Sequence, residues 1–168
     1  MDLTLRAAAK TSAASGAPIA PGAQLTSFLV VGADGELERF DLLANEAADW
    51  TPPGPVAARW KRRVPEKDET AAQAKQRAMS DAEALFRALG DGAEEAPDET
   101  DFAALNPDDR AALRYLISLH LERGRQLRAA PGSPRRLIHA QTKETFIVPP
   151  VELSPAHFGR FSQLVTGV

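Results

Sequence analysis

Between Glu122 and Lys143 the sequence carries six basic side chains, Arg123, Arg125, Arg128, Arg135, Arg136 and Lys143, against the single acid Glu122. A guanidinium-rich excess of this kind suits the capture of oxyanions. Each planar guanidinium presents two parallel N–H donors, and several in succession grip phosphates or an acidic surface. A second basic cluster, Arg59, Lys61, Arg62 and Arg63, surrounds Trp60. The expected binding residues are therefore the six above with Trp60, Arg62 and Arg63. A competing use of the same charges is internal. Cations are favourable near a helix C-terminus, and Asp91 to Asp101 holds six acidic residues able to neutralise them.

Groups suited to bond-making chemistry are sparse. The chain has no cysteine and three histidines, which removes disulfides, thiolate metal sites, iron–sulfur clusters and cysteine nucleophiles and leaves no histidine set for zinc. His120 falls in an apolar helical stripe and does not share a helix face with Glu122. His139 falls in a strand and His157 in a terminal helix. No serine sits in a nucleophile elbow and no glycine-rich loop has phosphate-cradle spacing. Asp108 and Asp109 are accounted for by helix capping. The expectation is a protein with no catalytic residue, no metal and no cofactor.

The 168 residues suit one folded unit, and a net charge of −3 makes charge placement more informative than the total. No stretch approaches the roughly 20 apolar residues of a membrane span, and Leu3 to Ala9 lacks the apolar run of a secretory signal. These features predict a cytoplasmic protein with no membrane partner.

The elements that must carry the basic residues follow from punctuation and period. Thr11 to Gly22 reads as a loop-like lead-in. Leu25–Val31 and Glu36–Asp41, separated by Gly32-Ala33-Asp34-Gly35, form a β-hairpin. Leu42 to Pro55 makes a short helical turn and an irregular crossing, broken by Pro52, Pro53 and Pro55. Trp50 and Trp60 bracket this crossing as core anchors, with Trp60 the one candidate for an exposed aromatic platform. Pro65–Thr70 is charged and mobile, and a helical region follows it, firmest over Ser80–Leu89, with Ser80 and Glu83 at capping-box spacing and Gly90 placed to end it in a left-handed conformation. Asp91–Asp101 is a mobile, solvated linker.

Asn106 caps the longest helix, Pro107 suits its first turn, and Leu113, Leu116, Ile117, His120 and Leu121 form its buried stripe. Gly124 weakens its end, which stops between there and Arg128. Arg136–Ala140 and Glu144–Val148 form a second hairpin, and a short helix starts at Ser154 with Pro155 first. The prediction is an α+β fold: N-terminal β-hairpin, central helices, long amphipathic helix, second β-hairpin and C-terminal helix. Residues 1–66 hold the hairpin and Trp/Pro-rich crossing and 67–168 the helical region with its hairpin, as one unit interrupted by the linker 91–101.

Gly16-Ala17-Pro18-Ile19-Ala20-Pro21-Gly22 before Ser27-Phe28-Leu29, then Trp50, Trp60 with Arg63-Val64-Pro65, and Arg114-Tyr115-Leu116 running to Glu122-Arg123 resemble landmarks of a family of short uncharacterised bacterial proteins. In that family an N-terminal knuckle precedes a Trp-rich crossing and a terminal helix–hairpin unit. Its members can carry cysteine near the position of Ser12, and a serine cannot replace a thiolate ligand. The resemblance implies no activity and assigns no functional residue.

The functional expectation is a non-enzymatic interaction or accessory protein, binding a protein partner through the arginine-rich edge or an apolar surface near Trp60. The alternative is a nucleic-acid or ribonucleoprotein-associated protein whose arginines contact phosphates. A winged-helix reading of the helix–hairpin order places Gln141 to Glu144 at the wing tip. It fails on the helix, which offers leucines where base edges need polar donors.

Overall fold

A computed structural model describes residues 4–90 and 105–166. Strands β1 (Thr4–Leu5), β2 (Gln24–Val31), β3 (Leu37–Leu43) and β4 (Val56–Arg63) precede helices α1 (Ala71–Ala88) and α2 (Pro107–Arg123). Then come β5 (Leu127–Ala130), β6 (Ser133–His139), β7 (Thr145–Ile147), α3 (Pro155–Phe161) and β8 (Val165–Thr166). The strands form two antiparallel three-stranded sheets, ordered β3-β2-β4 and β5-β6-β7, and a small β1-β8 pair. The α+β class is as the sequence predicts. The linker 91–101 lies outside the described residues.

The first hairpin turns where Gly35 adopts φ 75°, a conformation open to a residue without Cβ. The expected irregular crossing does end near Pro55, but the chain then enters β4, which pairs with β2 along its length. Residues Arg59 to Arg63 are thus strand residues, with alternation hidden by their charge. Leu29, Ala58 and Trp60 face α1 and α2 in the main core, whereas Phe28, Val30 and Leu42 form a smaller cluster on the opposite face. Trp50 covers that second face, its ring 5.0 Å from Phe28 and 5.3 Å from Phe40. The two tryptophans therefore brace opposite faces of one sheet. Trp60 is 4% exposed and presents no surface platform.

Helix α1 follows Thr70, where the helical region is expected, but its cap is not at Ser80. Its capping box is Thr70 with Gln73: the Gln73 backbone N–H donates to Thr70 Oγ1 at 3.2 Å, and the Thr70 N–H donates to Gln73 Oε1 at 2.9 Å. Its polar first half gives little apolar period, so Ser80 and Glu83 carried the expectation although both lie mid-helix. Gly90 is not among the left-handed residues; Leu89 closes the helix in the right-handed region. A Cβ on Gly90 would meet the Arg114 guanidinium at 3.3 Å, so close packing is what the glycine permits.

Helix α2 is capped by Asn106, whose Oδ1 accepts from the Asp108 N–H at 2.9 Å. Met79, Leu85 and Phe86 of α1 pack with Leu113, Leu116, Ile117 and Leu121 of α2 in the main core. Burying leucine, isoleucine and phenylalanine side chains contributes about 1.5–3 kcal/mol each before entropy is counted. This helical layer supports the second sheet.

Candidate functional site

The second sheet starts from two left-handed turns at residues other than glycine. After the α2 cap Gly124, Arg125 adopts φ 61°, which redirects the chain into β5 rather than letting the helix run to Arg128. The Gln126 N–H donates to the Leu121 carbonyl at 2.9 Å, closing the helix end. Pro131-Gly132 turns β5 into β6, with Gly132 at φ 73°. Lys143, φ 64°, turns β6 into β7, and its Nζ donates to the Ala140 carbonyl. The sheet is a three-strand meander: β5 is an element the sequence reading assigned to a helix end and a loop.

Register sorts the side chains into two faces. Leu127 pairs with His139, and Leu137 with both Ala129 and Phe146; Leu127, Leu137 and His139 are buried. Arg128 pairs with Ile138, Ile138 with Thr145, and Arg136 with Ile147, which sets these five on the opposite face. That face is open: Arg128, Arg136 and Thr145 are exposed, Ile138 is half-buried, and Ile147 is 64% exposed. The sheet thus presents a mixed patch in which isoleucines lie beside guanidinium groups.

The six basic residues do not act as one row. Arg128 and Arg136 share the open face, while strand alternation turns Arg135 to the other side of β6. Arg125 and Lys143 occupy turns at one end of the sheet, brought together by the Ala140 N–H donating to the Gln126 carbonyl at 2.8 Å. Arg123 ends α2. Among the described residues, no carboxylate forms an ion pair with Arg125, Arg128, Arg135 or Arg136.

Trp60, Arg62 and Arg63 belong to the other sheet and do not extend this patch. Arg62 is buried against α1, its Nε 3.6 Å from Asp81 Oδ2, and exposed Arg63 pairs with Glu66 at 2.8 Å. The neighbouring Arg39 lies 3.2 Å from Asp41, whose other oxygen accepts from Ser27 Oγ at 2.6 Å. Burial lowers the Arg39 pKa and raises that of Asp81, the cost of placing charge among apolar residues.

A clamp holds the β6–β7 turn on α1. Arg87 donates to Glu83 at 2.8 Å and, with its two terminal nitrogens, to Glu144 at 3.2 and 2.6 Å. Those bonds, with one from Thr142 Oγ1, lower the Glu144 pKa to about 2. Arg87 also stacks 5.3 Å from the Phe146 ring, which in turn meets Phe86 edge-on at 5.2 Å. This fixes the sheet's inner face and leaves the outer face accessible.

The imidazoles are closer to carboxylates than the sequence suggests. His139 Nε2 lies 3.4 Å from Glu83, and His157 Nε2 lies 3.7 Å from Asp109. Asp109 is therefore more than a capping aspartate: it is buried and accepts from Arg160 Nε at 2.9 Å. Ser154 Oγ lies 3.1 Å from His157 Nδ1, so a serine, a histidine and an aspartate adjoin. Their bonds identify the arrangement as a helix start. The Ser154 N–H donates to His157 Nδ1 at 3.1 Å, the second half of the α3 capping box, and Arg160 occupies the aspartate. Likewise His139 Nδ1 accepts from the Thr142 N–H at 3.0 Å, closing the β6–β7 turn. Neither ring lines the cavities beside Arg62 and Arg77.

Among the described residues, no three histidine or acidic side chains gather as a metal site would need, and no helix is long and apolar enough to cross a membrane. No protein-family model, curated protein or solved structure matches the chain.

Proposed function

We propose that this chain is a non-enzymatic interaction protein that binds an acidic, partly apolar segment of a partner protein on the open face of its second sheet. One observation carries the reading: Arg128 and Arg136 stand unpaired with any described carboxylate on the same face as Ile147, which is 64% exposed. An exposed large apolar side chain flanked by guanidinium groups matches the mixture that interface cores favour, arginine beside desolvated hydrocarbon. The partner supplies carboxylates for the arginines and an apolar side chain for Ile138 and Ile147.

The alternative partner is a nucleic acid, gripped through its phosphates by Arg123, Arg125, Arg128, Arg135, Arg136 and Lys143. The cations at the Arg125–Lys143 end of the sheet, paired with no described carboxylate, favour that reading. The open face itself lacks the aromatic side chains on which unpaired bases stack, and an apolar isoleucine there gains nothing from a phosphate. The protein reading is the better fit.

A photo-reactive residue in place of Ile147 tests the proposal in native lysate. It should cross-link to a discrete protein, and the yield should fall when Arg128 and Arg136 are changed to Glu. Cross-links only to nucleic acid would shift the assignment to the alternative, and a yield equal to that of a probe placed at exposed Asp34 would reject both.

A further inference from the structure

A cavity distant from the second sheet in the sequence lies between the N-terminal segment Leu5–Ala8, β4 and α1. Its volume is about 600 Å³, within the roughly 300–1,000 Å³ range of small-molecule sites. Four arginines, Arg6, Arg39, Arg62 and Arg77, line it with one carboxylate, Asp81. Apolar wall comes from Leu5, Ala7, Ala8, Pro65 and Ala78. A second cavity of about 470 Å³ shares Arg62, Arg77 and Asp81 with it, so these three form the partition between two openings.

Part of this charge is structural. Arg39 donates to the carbonyls of Arg6 and Ala7 at 3.0 and 2.6 Å, and Arg62 donates to the Arg6 carbonyl at 3.2 Å. Together they hold the segment that continues from β1, itself paired with β8. That segment carries exposed Arg6 to the rim, and Arg77 reaches from α1 with its side chain 21% exposed. Asp81 answers both Arg62 and Arg77, at 3.6 and 3.5 Å, Glu69 accepts from Arg77 Nε at 3.0 Å, and Asp41 pairs with Arg39, so Arg6 carries the charge of the wall that no described carboxylate offsets. The buried Nε atoms of Arg39 and Arg62 have no hydrogen-bond acceptor among the described residues. An uncompensated cation at the mouth of a cavity with an apolar wall attracts an anion.

We infer that this cavity is a binding site for a small organic molecule bearing an oxyanion, a phosphate ester or a dicarboxylate, with Arg6 and Arg77 contacting the oxygens. Arg39 and Arg62 position the Arg6 segment; the apolar wall accepts the body of the ligand. The site is separate from the surface proposed for the protein partner.

The test uses pyrophosphate and succinate as probes, titrated into the whole protein and followed by calorimetry and by backbone NMR. Sodium chloride at matched ionic strength is the reference. At least one probe should bind saturably, about tenfold or more tighter than chloride, and shift amides near Arg6, Arg62 and Arg77. Binding of pyrophosphate alone identifies a phosphate ligand, and of succinate alone a carboxylate. Arg6→Gln and Arg77→Gln should each weaken binding about tenfold, whereas Arg128→Ala with Arg136→Ala should leave it unchanged. Arg6 is exposed, so Arg6→Gln decides the matter if Arg77→Gln does not fold. Binding no tighter than chloride, unaltered by Arg6→Gln, or mapping to Arg128 and Arg136 overturns the inference and leaves the partner surface untouched.

Discussion

Arg128 and Arg136 lie on one face of a three-stranded sheet, Arg128 paired across β5–β6 with Ile138 and Arg136 two residues before that isoleucine on β6. The same face carries Ile147 as the register partner of Arg136. Because the opposite face is buried through Leu127, Leu137 and His139, this one is available for recognition. Its side chains contribute little to the fold. Changing Arg128 and Arg136 to Ala should alter unfolding free energy by no more than about 0.5 kcal/mol per site, as for other exposed positions away from specific contacts. Urea denaturation checks this, and a loss above about 2 kcal/mol for the pair would show that the arginines serve the core.

The Asp41 carboxylate ties the first sheet to the lead-in segment. It accepts from Ser27 Oγ at 2.6 Å and from the Ala9 N–H at 2.8 Å, and it pairs with Arg39. Asp41→Ala should destabilise the protein by about 3–5 kcal/mol, because it removes the carboxylate partner of half-buried Arg39 and leaves two donors without their acceptor. Thermal unfolding provides the readout, and a loss under about 1 kcal/mol would contradict the account.

Gly54 makes the tight entry to β4. A Cβ there would lie 2.7 Å from the Val31 carbonyl oxygen, a backbone atom that cannot swing aside. Gly54→Ala should cost about 1–3 kcal/mol by overpacking. A variant as stable as the parent would place the Pro-rich crossing differently.

Glu144 makes a pH-dependent contribution of known sign. Its pKa is lowered to about 2 in the folded chain from an ordinary 4.5, chiefly by Arg87. The ionised carboxylate therefore stabilises the fold above about pH 4.5, and this contribution is lost as pH falls from there through about 2. The pair is largely solvent-exposed, which limits the effect to about 1 kcal/mol or less. Glu144→Gln should be slightly less stable than the parent at pH 7, with the difference shrinking toward zero by pH 2. A difference constant across that range would dissociate Glu144 from the clamp.

How much of this was legible in the sequence depends on whether local signals agreed with tertiary ones. Gly32 to Gly35 between apolar runs marked the first hairpin, and Asn106-Pro107 and Ser154-Pro155 marked two helix starts, because turn and cap chemistry acts within a few residues. Strand β4 was hidden because Arg62 occupies an inward position made tolerable by distant partners, Asp81 nineteen residues away on α1 and the Arg6 carbonyl. Strand β5 was hidden because the reversal after the Gly124 cap is made by left-handed Arg125, a residue type that does not mark a turn. At the candidate site the basic composition was plain, but its division into an open face, a turn cluster and an outlier required the register of β6. The cavity beside Arg6 joins residues as far apart as Leu5 and Gln163, which no local pattern encodes.

Affinity capture with paired baits shows whether a protein partner docks on the open face of the second sheet. Immobilised parent protein and an Arg128→Glu, Arg136→Glu variant would be incubated with nuclease-treated native lysate, and captured proteins quantified by mass spectrometry. Reversing both charges should reduce capture of a specific protein partner at least about tenfold while the variant stays folded. Equal capture by the two baits, or disappearance of all binding on nuclease treatment, would contradict a protein partner on this sheet.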